Sequence, residues 1–222
     1  AVLCALSVLT LVLPNYTSSV LGPGLTASQL AFEGMISLVL YMVFVFVQTV
    51  RHRDYFLSKA PSEEVHVAPP SGRTAVLSLG LLVVALLAVV GLAKKLSPAV
   101  EQAVAEAGAP KAVVGIVIAA LVLLPEGLAA LRAARANKLQ TSLNLALGSA
   151  LASIGLTIPT VAAVSLVLDQ HIELGLAPKE TVLLAVTLLV GVITLGTGRT
   201  TVLHGAVHLV LFAAFLFLAI VP

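Results

Sequence analysis

Apolar residues in this chain come in long, nearly unbroken runs separated by short polar or Pro/Gly-bearing breaks, and no segment alternates with the period of a half-buried strand. A helix needs about 20 consecutive apolar residues to cross the hydrocarbon core of a bilayer, so runs of that length bounded by charge, Pro or Gly are read as spans. Seven segments are predicted. The first, Ala1 to Leu13, is too short to span and reads as the end of a helix that begins upstream; this predicts that an N-terminal part lies outside the sequence. PNYTSSVLGPGLT, from Pro14 to Thr26, has the composition of a short external loop. The second span runs from about Ser28 to Val50, and Arg51 to Arg73 is a polar linker holding Glu63, Glu64, His66 and a Pro-rich APPSG. The third span covers Thr74 to Ala93 and is followed by SPAVEQAVAEAG, predicted to be a separate amphipathic helix capped by Ser97 with Pro98 at its first position. Spans at Lys111 to Ala136, Thr141 to Leu168, Glu180 to Thr197 and Thr201 to Val221 complete the reading. The predicted fold class is therefore an all-α, polytopic membrane protein of about seven transmembrane helices, organised as residues 1–50, a 51–73 linker and 74–222.

Composition narrows the class further. Of the 222 residues 59% are hydrophobic and 10% charged, against about 25% charged in soluble domains, which excludes a water-soluble globular fold. The formal net charge of +2 is too small and too scattered for a nucleic-acid footprint. The lone Cys4 excludes an internal disulfide and any C-x-x-C motif. The placement of the basic residues is more informative. Arg51, Arg53, Lys59, Arg73, Arg132, Arg135, Lys138 and Arg199 fall on one side of the predicted topology, and Lys94, Lys95, Lys111 and Lys179 on the other. The richer side is expected to face the cytoplasm, leaving the C-terminus outside.

Glu126 is the residue with the most to say about function, because a carboxylate near the bilayer centre costs about 2.5 to 3.5 kcal/mol on insertion scales. Such groups generally face a cavity and serve ions or protons. Pro125 beside it lacks an amide proton and crowds the carbonyl four residues back, near residue 121. A kink there would free backbone oxygens beside the carboxylate and form a cluster of hard oxygens suited to Na⁺, Ca²⁺ or H⁺. Gly127 extends this Pro-Glu-Gly break. A structural kink with Glu126 bonded to a neighbouring helix is the alternative.

The fifth span, which follows the basic turn RAARANKLQTS, offers two faces. With Ser142 at zero and 100° per residue, Ser149, Ser153, Thr157 and Thr160 fall between about −20° and 60° and form one hydroxyl stripe. Asn144, Gly148, Ala152, Gly155 and Pro159 fall between about 200° and 280°, where small or special residues admit another helix. The stripe is a candidate ion path, and ordinary interhelical hydrogen bonding is the alternative. His204 and His208 have metal-ligand spacing but no third ligand, which favours interhelical hydrogen bonding. Glu33, within the first two turns of its span, reads as an interfacial acid favoured by the helix dipole. No phosphate-binding Gly loop, G-x-S-x-G or H-E-x-x-H is present, and no enzyme is expected.

The stretch LLPEGLAALRAARANKLQTSLNLALGSALAS, from Leu123 to Ser153, resembles the alpha repeat of the calcium/cation antiporter superfamily: a helix with a Pro-Glu motif, a basic turn, and a helix with a Gly-Ser pair, here Gly148 and Ser149. Including GTGRTTVLHGAVHLVLFAAF near its end, the whole chain resembles the C-terminal half of the bacterial sodium/calcium:proton antiporters. The resemblance implies the second of two inverted repeats in a bacterial inner-membrane protein, and transport of Ca²⁺ and/or Na⁺, with K⁺ also open, in exchange for H⁺. It implies that Glu126 is the shared metal and proton ligand, with Ser149 beside it and Ser153 a turn further on. It also implies a missing N-terminal repeat as partner, with no cofactor beyond the transported ions. Ala150 and Ser153 stand where sodium/calcium exchangers usually have Asn and Asp, so this half brings fewer hard oxygens. A passive cation channel or a structural membrane domain would share the same polar stripe.

Overall fold

The computed structural model describes residues 1–17, 25–51, 71–169, 174–198 and 200–221, and all regular structure among them is helical. In chain order the helices are α1 (Val2–Ser7), α2 (Ala27–Phe46), α3 (Gly72–Glu106), α4 (Ala112–Arg135), α5 (Leu139–Leu168), α6 (Pro178–Gly196) and α7 (Val202–Ile220). A π turn at Val8–Val12 and a 3₁₀ turn at Leu13–Tyr16 extend α1, and a second π turn at Val47–Arg51 extends α2. Six of the helical segments are long and apolar enough to cross a membrane, and Val2–Tyr16 is a shorter apolar helix. Glu63, Glu64, His66, Arg53, Lys59 and Arg199 lie outside the described residues.

The helix ends follow local chemistry. Thr26 opens α2 with a capping box: its backbone N–H donates to Gln29 Oε1 at 2.9 Å, and the Gln29 N–H donates to the Thr26 hydroxyl at 3.3 Å. The turn between α4 and α5 is closed by Asn137 in the left-handed conformation, φ 60°. Around it the Lys138 N–H donates to the Ala133 carbonyl and the Asn137 N–H to the Ala134 carbonyl. Asn tolerates this conformation better than most residues, so the chain can reverse within three residues.

One sequence expectation is corrected. Residues 72–106 form one 35-residue helix, with Pro98 inside it, in place of a span followed by a separate helix starting at Ser97. The Ser97 hydroxyl donates to Glu101 Oε1 at 3.1 Å instead of capping a helix start. Pro removes one ladder bond, but the flanking Ala, Leu, Lys, Glu and Gln residues all favour helix, and the ladder resumes. At 1.5 Å per residue α3 is about 52 Å long, well beyond a hydrocarbon core of about 30 Å.

The chain divides into two compact units, one of Ala1–Ser58 with Glu126–Phe215 and one of Lys59–Pro125 with Leu216–Pro222. In the first unit α2 lies against α5 in antiparallel fashion, with α1 against both. Small residues set the approach. A Cβ on Gly34 would stand 3.1 Å from Ala162 Cβ, and seven residues further along α2, Tyr41 Cβ stands 2.7 Å from where a Cβ on Gly155 would be. Leu25, Leu30 and Ala162 form the packed cluster at one end of this seam. The Leu176 N–H donates to the Leu11 carbonyl at 3.0 Å, and the Asn15 amide donates to the Leu176 carbonyl, tying the end of the α1 segment to the lead-in of α6. In the second unit the α3 helix presents apolar side chains on every exposed face, the composition of a lipid-facing helix.

Candidate functional site

The acid singled out by sequence lies inside α4, about 21 Å from the helix start and about 14 Å from its end at 1.5 Å per residue. The helix is continuous through Pro125. Glu126 and Gly127 are exposed, and a Cβ on Gly127 would meet nothing within 4 Å. Among the described residues Glu126 makes no hydrogen bond and no ion pair, and none joins it to Ser149 or Ser153.

On α5 the two sequence-derived faces fare differently. Leu151, Gly155, Ile158, Ala162 and Ser165 are buried, so the seam with α2 is centred on the side of the helix opposite Ser142. Ser153, Thr157 and Thr160 are exposed on the other side, and Ser149 is half-buried. The Thr160 hydroxyl is turned onto its own helix, donating to the Leu156 carbonyl at 2.7 Å. Gly155 belongs to the seam, whereas Gly148 does not: a Cβ there would meet nothing within 4 Å.

Gly148 and Asn144 instead line a cavity of about 760 Å³ within the first unit. Its polar lining comes from Gln48 on the second π turn, Asn144, Thr187, Thr194, Thr200 and His208, set among Leu, Val and Gly side chains. This is the size of a site for a small solute, and its surface is predominantly apolar. Glu126, Ser149 and Ser153 are not part of the lining.

The two histidines separate in role. His208 Nε2 lies 3.3 Å from Thr194 Oγ1, joining α7 to α6 at the cavity wall. His204 stays at its own helix end: its N–H donates to the Thr201 hydroxyl at 3.4 Å, while the Thr201 N–H donates to His204 Nδ1 at 3.3 Å. Among the described residues no cluster of three His, Cys, Asp or Glu side chains could hold a metal. Thr194→Val is expected to leave the half-buried His208 without this partner and to lower stability by about 0.5 to 1.5 kcal/mol, read as a fall in thermal midpoint in detergent; an unchanged midpoint would mean that the bond contributes nothing.

Glu33 carries a feature that sequence reading missed: it is 7% exposed and buried between helices. The signal that could have found it is Ser37 one turn later, which puts two polar groups on one face of an otherwise apolar helix beside Gly34, the close-approach residue.

Residues 77–221 match the sodium/calcium exchanger protein family, a range that contains the Pro125–Glu126 and Gly148–Ser149 pairs and most of the cavity lining. The whole chain is 52% identical over 222 residues to a candidate ionic transporter of Sinorhizobium fredii, covering 60% of that protein. It is 32% identical over 218 residues, 96% of the chain, to the sodium-potassium/proton antiporter ChaA of Escherichia coli, again covering 60% of the relative. The chain thus spans about three fifths of the length of the curated relatives it matches. No solved structure matches it. The family is one of transporters and not of enzymes, and on the strength of a match over most of its length this chain belongs to the sodium/calcium exchanger family.

Proposed function

We propose that this chain is the second-repeat portion of a bacterial inner-membrane antiporter that expels a cation, Ca²⁺ and/or Na⁺ with K⁺ as a further candidate, in exchange for H⁺. The observation that carries this reading is Glu126, a carboxylate in the body of an apolar membrane-length helix with no cationic partner among the described residues. An acid in that setting is retained at a cost and generally serves an ion or a proton. When protonated it binds a cation poorly, and when a cation is bound the proton is displaced. That mutual exclusion, with access opened to one side at a time, is sufficient for exchange.

The metal needs more than one acid. Ca²⁺ takes six to eight oxygen ligands, and Glu126 with the hydroxyls of Ser149 and Ser153 falls short. The exposed face of Glu126 is then the face that the remaining two fifths of a full-length protein would cover, supplying the other ligands from a first repeat. Pro125 and Gly127 keep that stretch of α4 slim enough for close approach. The 51–73 loop lies on the cytoplasmic side and the C-terminus outside, as the basic-residue distribution directs. Protease cleavage in that loop from the external face alone would reverse this orientation.

The activity is tested by reconstituting the full-length protein in proteoliposomes with an internal pH dye and challenging it with Ca²⁺, Na⁺ and K⁺ in turn. An antiporter moves protons uphill when a cation gradient is imposed. A passive cation channel dissipates the cation gradient without uphill proton movement, and a structural membrane domain does neither.

A further inference from the structure

Helices α2 and α7 open on the same reciprocal cap, built from different chemistry. At α2 the Thr26 N–H donates to Gln29 Oε1 at 2.9 Å, and the Gln29 N–H donates to the Thr26 hydroxyl at 3.3 Å. At α7 the Thr201 N–H donates to His204 Nδ1 at 3.3 Å, and the His204 N–H donates to the Thr201 hydroxyl at 3.4 Å. The Thr201 hydroxyl also lies 3.2 Å from the same ring nitrogen. His204 thus holds the third helical position, where a capping box ordinarily has Glu or Gln. Unlike the Gln amide, its acceptor is a lone pair that a proton can fill near neutral pH. Thr201 is exposed and His204 half-buried, so solvent protons reach the pair.

The bond network assigns the neutral ring, with the lone pair on Nδ1 and the proton on Nε2, because a backbone N–H can only donate. Protonation of Nδ1 sets two N–H groups against each other and leaves the Thr201 donor without its acceptor. It also places a positive charge at the positive end of the α7 dipole. The cavity at this end of the unit brings α1, α2, α5 and α6 near the start of α7. The titratable side chains on its wall are Cys4 and His208, and no Asp, Glu, Lys or Arg is among the lining residues. The charged groups at the same helix ends are Arg51 after α2 and Arg135 and Lys138 at the α4–α5 turn, with Arg199 outside the described residues. All are cations, so an imidazolium at His204 finds no ion-pair partner among them. One turn further along, His208 Nε2 lies 3.3 Å from Thr194 Oγ1, so a loosened first turn of α7 also loosens its joint with α6 at the cavity wall.

We propose that Thr201 and His204 form a regulatory proton site, a cap that holds the start of α7 while the ring is neutral and releases it when the ring is protonated, slowing transport. Loading transfers H⁺ from a hydronium to His204 Nδ1 and leaves an imidazolium and a water; unloading is the reverse. In the topology given above, the start of α7 faces the cytoplasm, the side into which an antiporter delivers protons. Acid produced there by turnover then restrains further turnover. That consequence for transport rests on the antiport reading. The proton-sensitive cap does not.

The test compares the full-length wild-type protein with H204Q, which restores the ordinary capping-box residue and cannot titrate, and with H204A, which has no cap at any pH. Amide hydrogen exchange over residues 200–206 is read by mass spectrometry as the ratio of each protein to H204Q at the same pH, which cancels the pH dependence of exchange itself. For wild type the ratio should be near one at about pH 8 and rise at least about fivefold by about pH 5. For H204A it should be raised throughout. A wild-type ratio that does not change with pH, or H204A exchanging like H204Q, would overturn the cap. In everted vesicles, whose cytoplasmic face meets the medium, acidifying the medium should lower cation-driven proton flux in wild type relative to H204Q by about the same factor. Identical flux profiles would overturn the regulatory role. Exchange that behaves as expected in a protein without cation-driven flux would overturn the antiport reading and leave the proton-sensitive cap standing.

Discussion

Glu126→Gln is expected to reduce cation-driven proton flux to the leak level of protein-free vesicles while leaving the amount and thermal midpoint of the membrane-inserted protein unchanged. Gln has the same shape, but it can neither carry the negative charge that holds a cation nor release a proton on binding one. Among the described residues the side chain is exposed and makes no hydrogen bond or ion pair, and Gln matches its shape, so the replacement strands no partner within this chain. On insertion scales a charge at a helix centre costs about 2.5 to 3.5 kcal/mol, so on the reading that Glu126 sits within the bilayer a folding defect is the wrong direction for this substitution. Glu126→Asp keeps the charge on a shorter arm and should retain part of the flux, with a higher cation requirement. The measurement is dye-reported proton movement in inverted vesicles, driven in turn by Ca²⁺, Na⁺ and K⁺. Normal flux in the Gln variant would remove Glu126 from the mechanism.

The largest structural effect is expected at Gly155. A Cβ there would lie 2.7 Å from Tyr41 Cβ and 2.9 Å from Tyr41 Cγ, closer than real side-chain atoms approach. Both contacts are near the root of the tyrosine, so a change of rotamer cannot clear them and α2 itself must move away from α5. Overpacking of this kind costs about 1 to 3 kcal/mol. It falls on the seam that also positions Gly34, Leu30 and Ala162, so Gly155→Ala should lower the thermal midpoint, and Gly155→Val should lower it further and reduce the yield of inserted protein. Gly191 is the control. It is a helical glycine whose added Cβ would meet nothing within 4 Å, and Gly191→Ala should be neutral or slightly stabilising through helix propensity. Equal midpoints for Gly155→Ala and wild type would show that the two helices are not held at this distance.

Particular residues show how far the sequence could be read. The spans were legible because twenty apolar residues in a row admit few structures, and the helix bounds fall within a few residues of the runs that predict them. The exception, residues 72–106, arises because a proline in a helix-favouring context interrupts one bond and not the whole ladder. On α5, helical periodicity separated a hydroxyl side from a packing side, and Gly155 and Pro159 do stand at the α2 seam. Periodicity could not tell that Gly148, two turns before Gly155, faces open space. A glycine that admits a helix and one that lines a cavity look the same in one dimension.

Glu33 marks the same limit from the other side. Its place near a helix start is equally consistent with an acid at the membrane surface and with one sealed between helices. Only the crossing of α1 over α2 decides between them, because burial is a property of neighbours distant in sequence. The sequence by itself determined the helical class, the placement of the apolar membrane-length segments and the presence of an acid within one of them, all of which follow from local hydrophobicity and the backbone's need for internal hydrogen bonds in lipid. The tertiary structure alone decided which small residues bring helices into contact, which polar groups share a cavity, and that Glu33 and Ser37 are buried between helices. Those depend on the register and rotation of one helix against another, which are set by side-chain packing across the seam and leave no periodic trace in either helix alone.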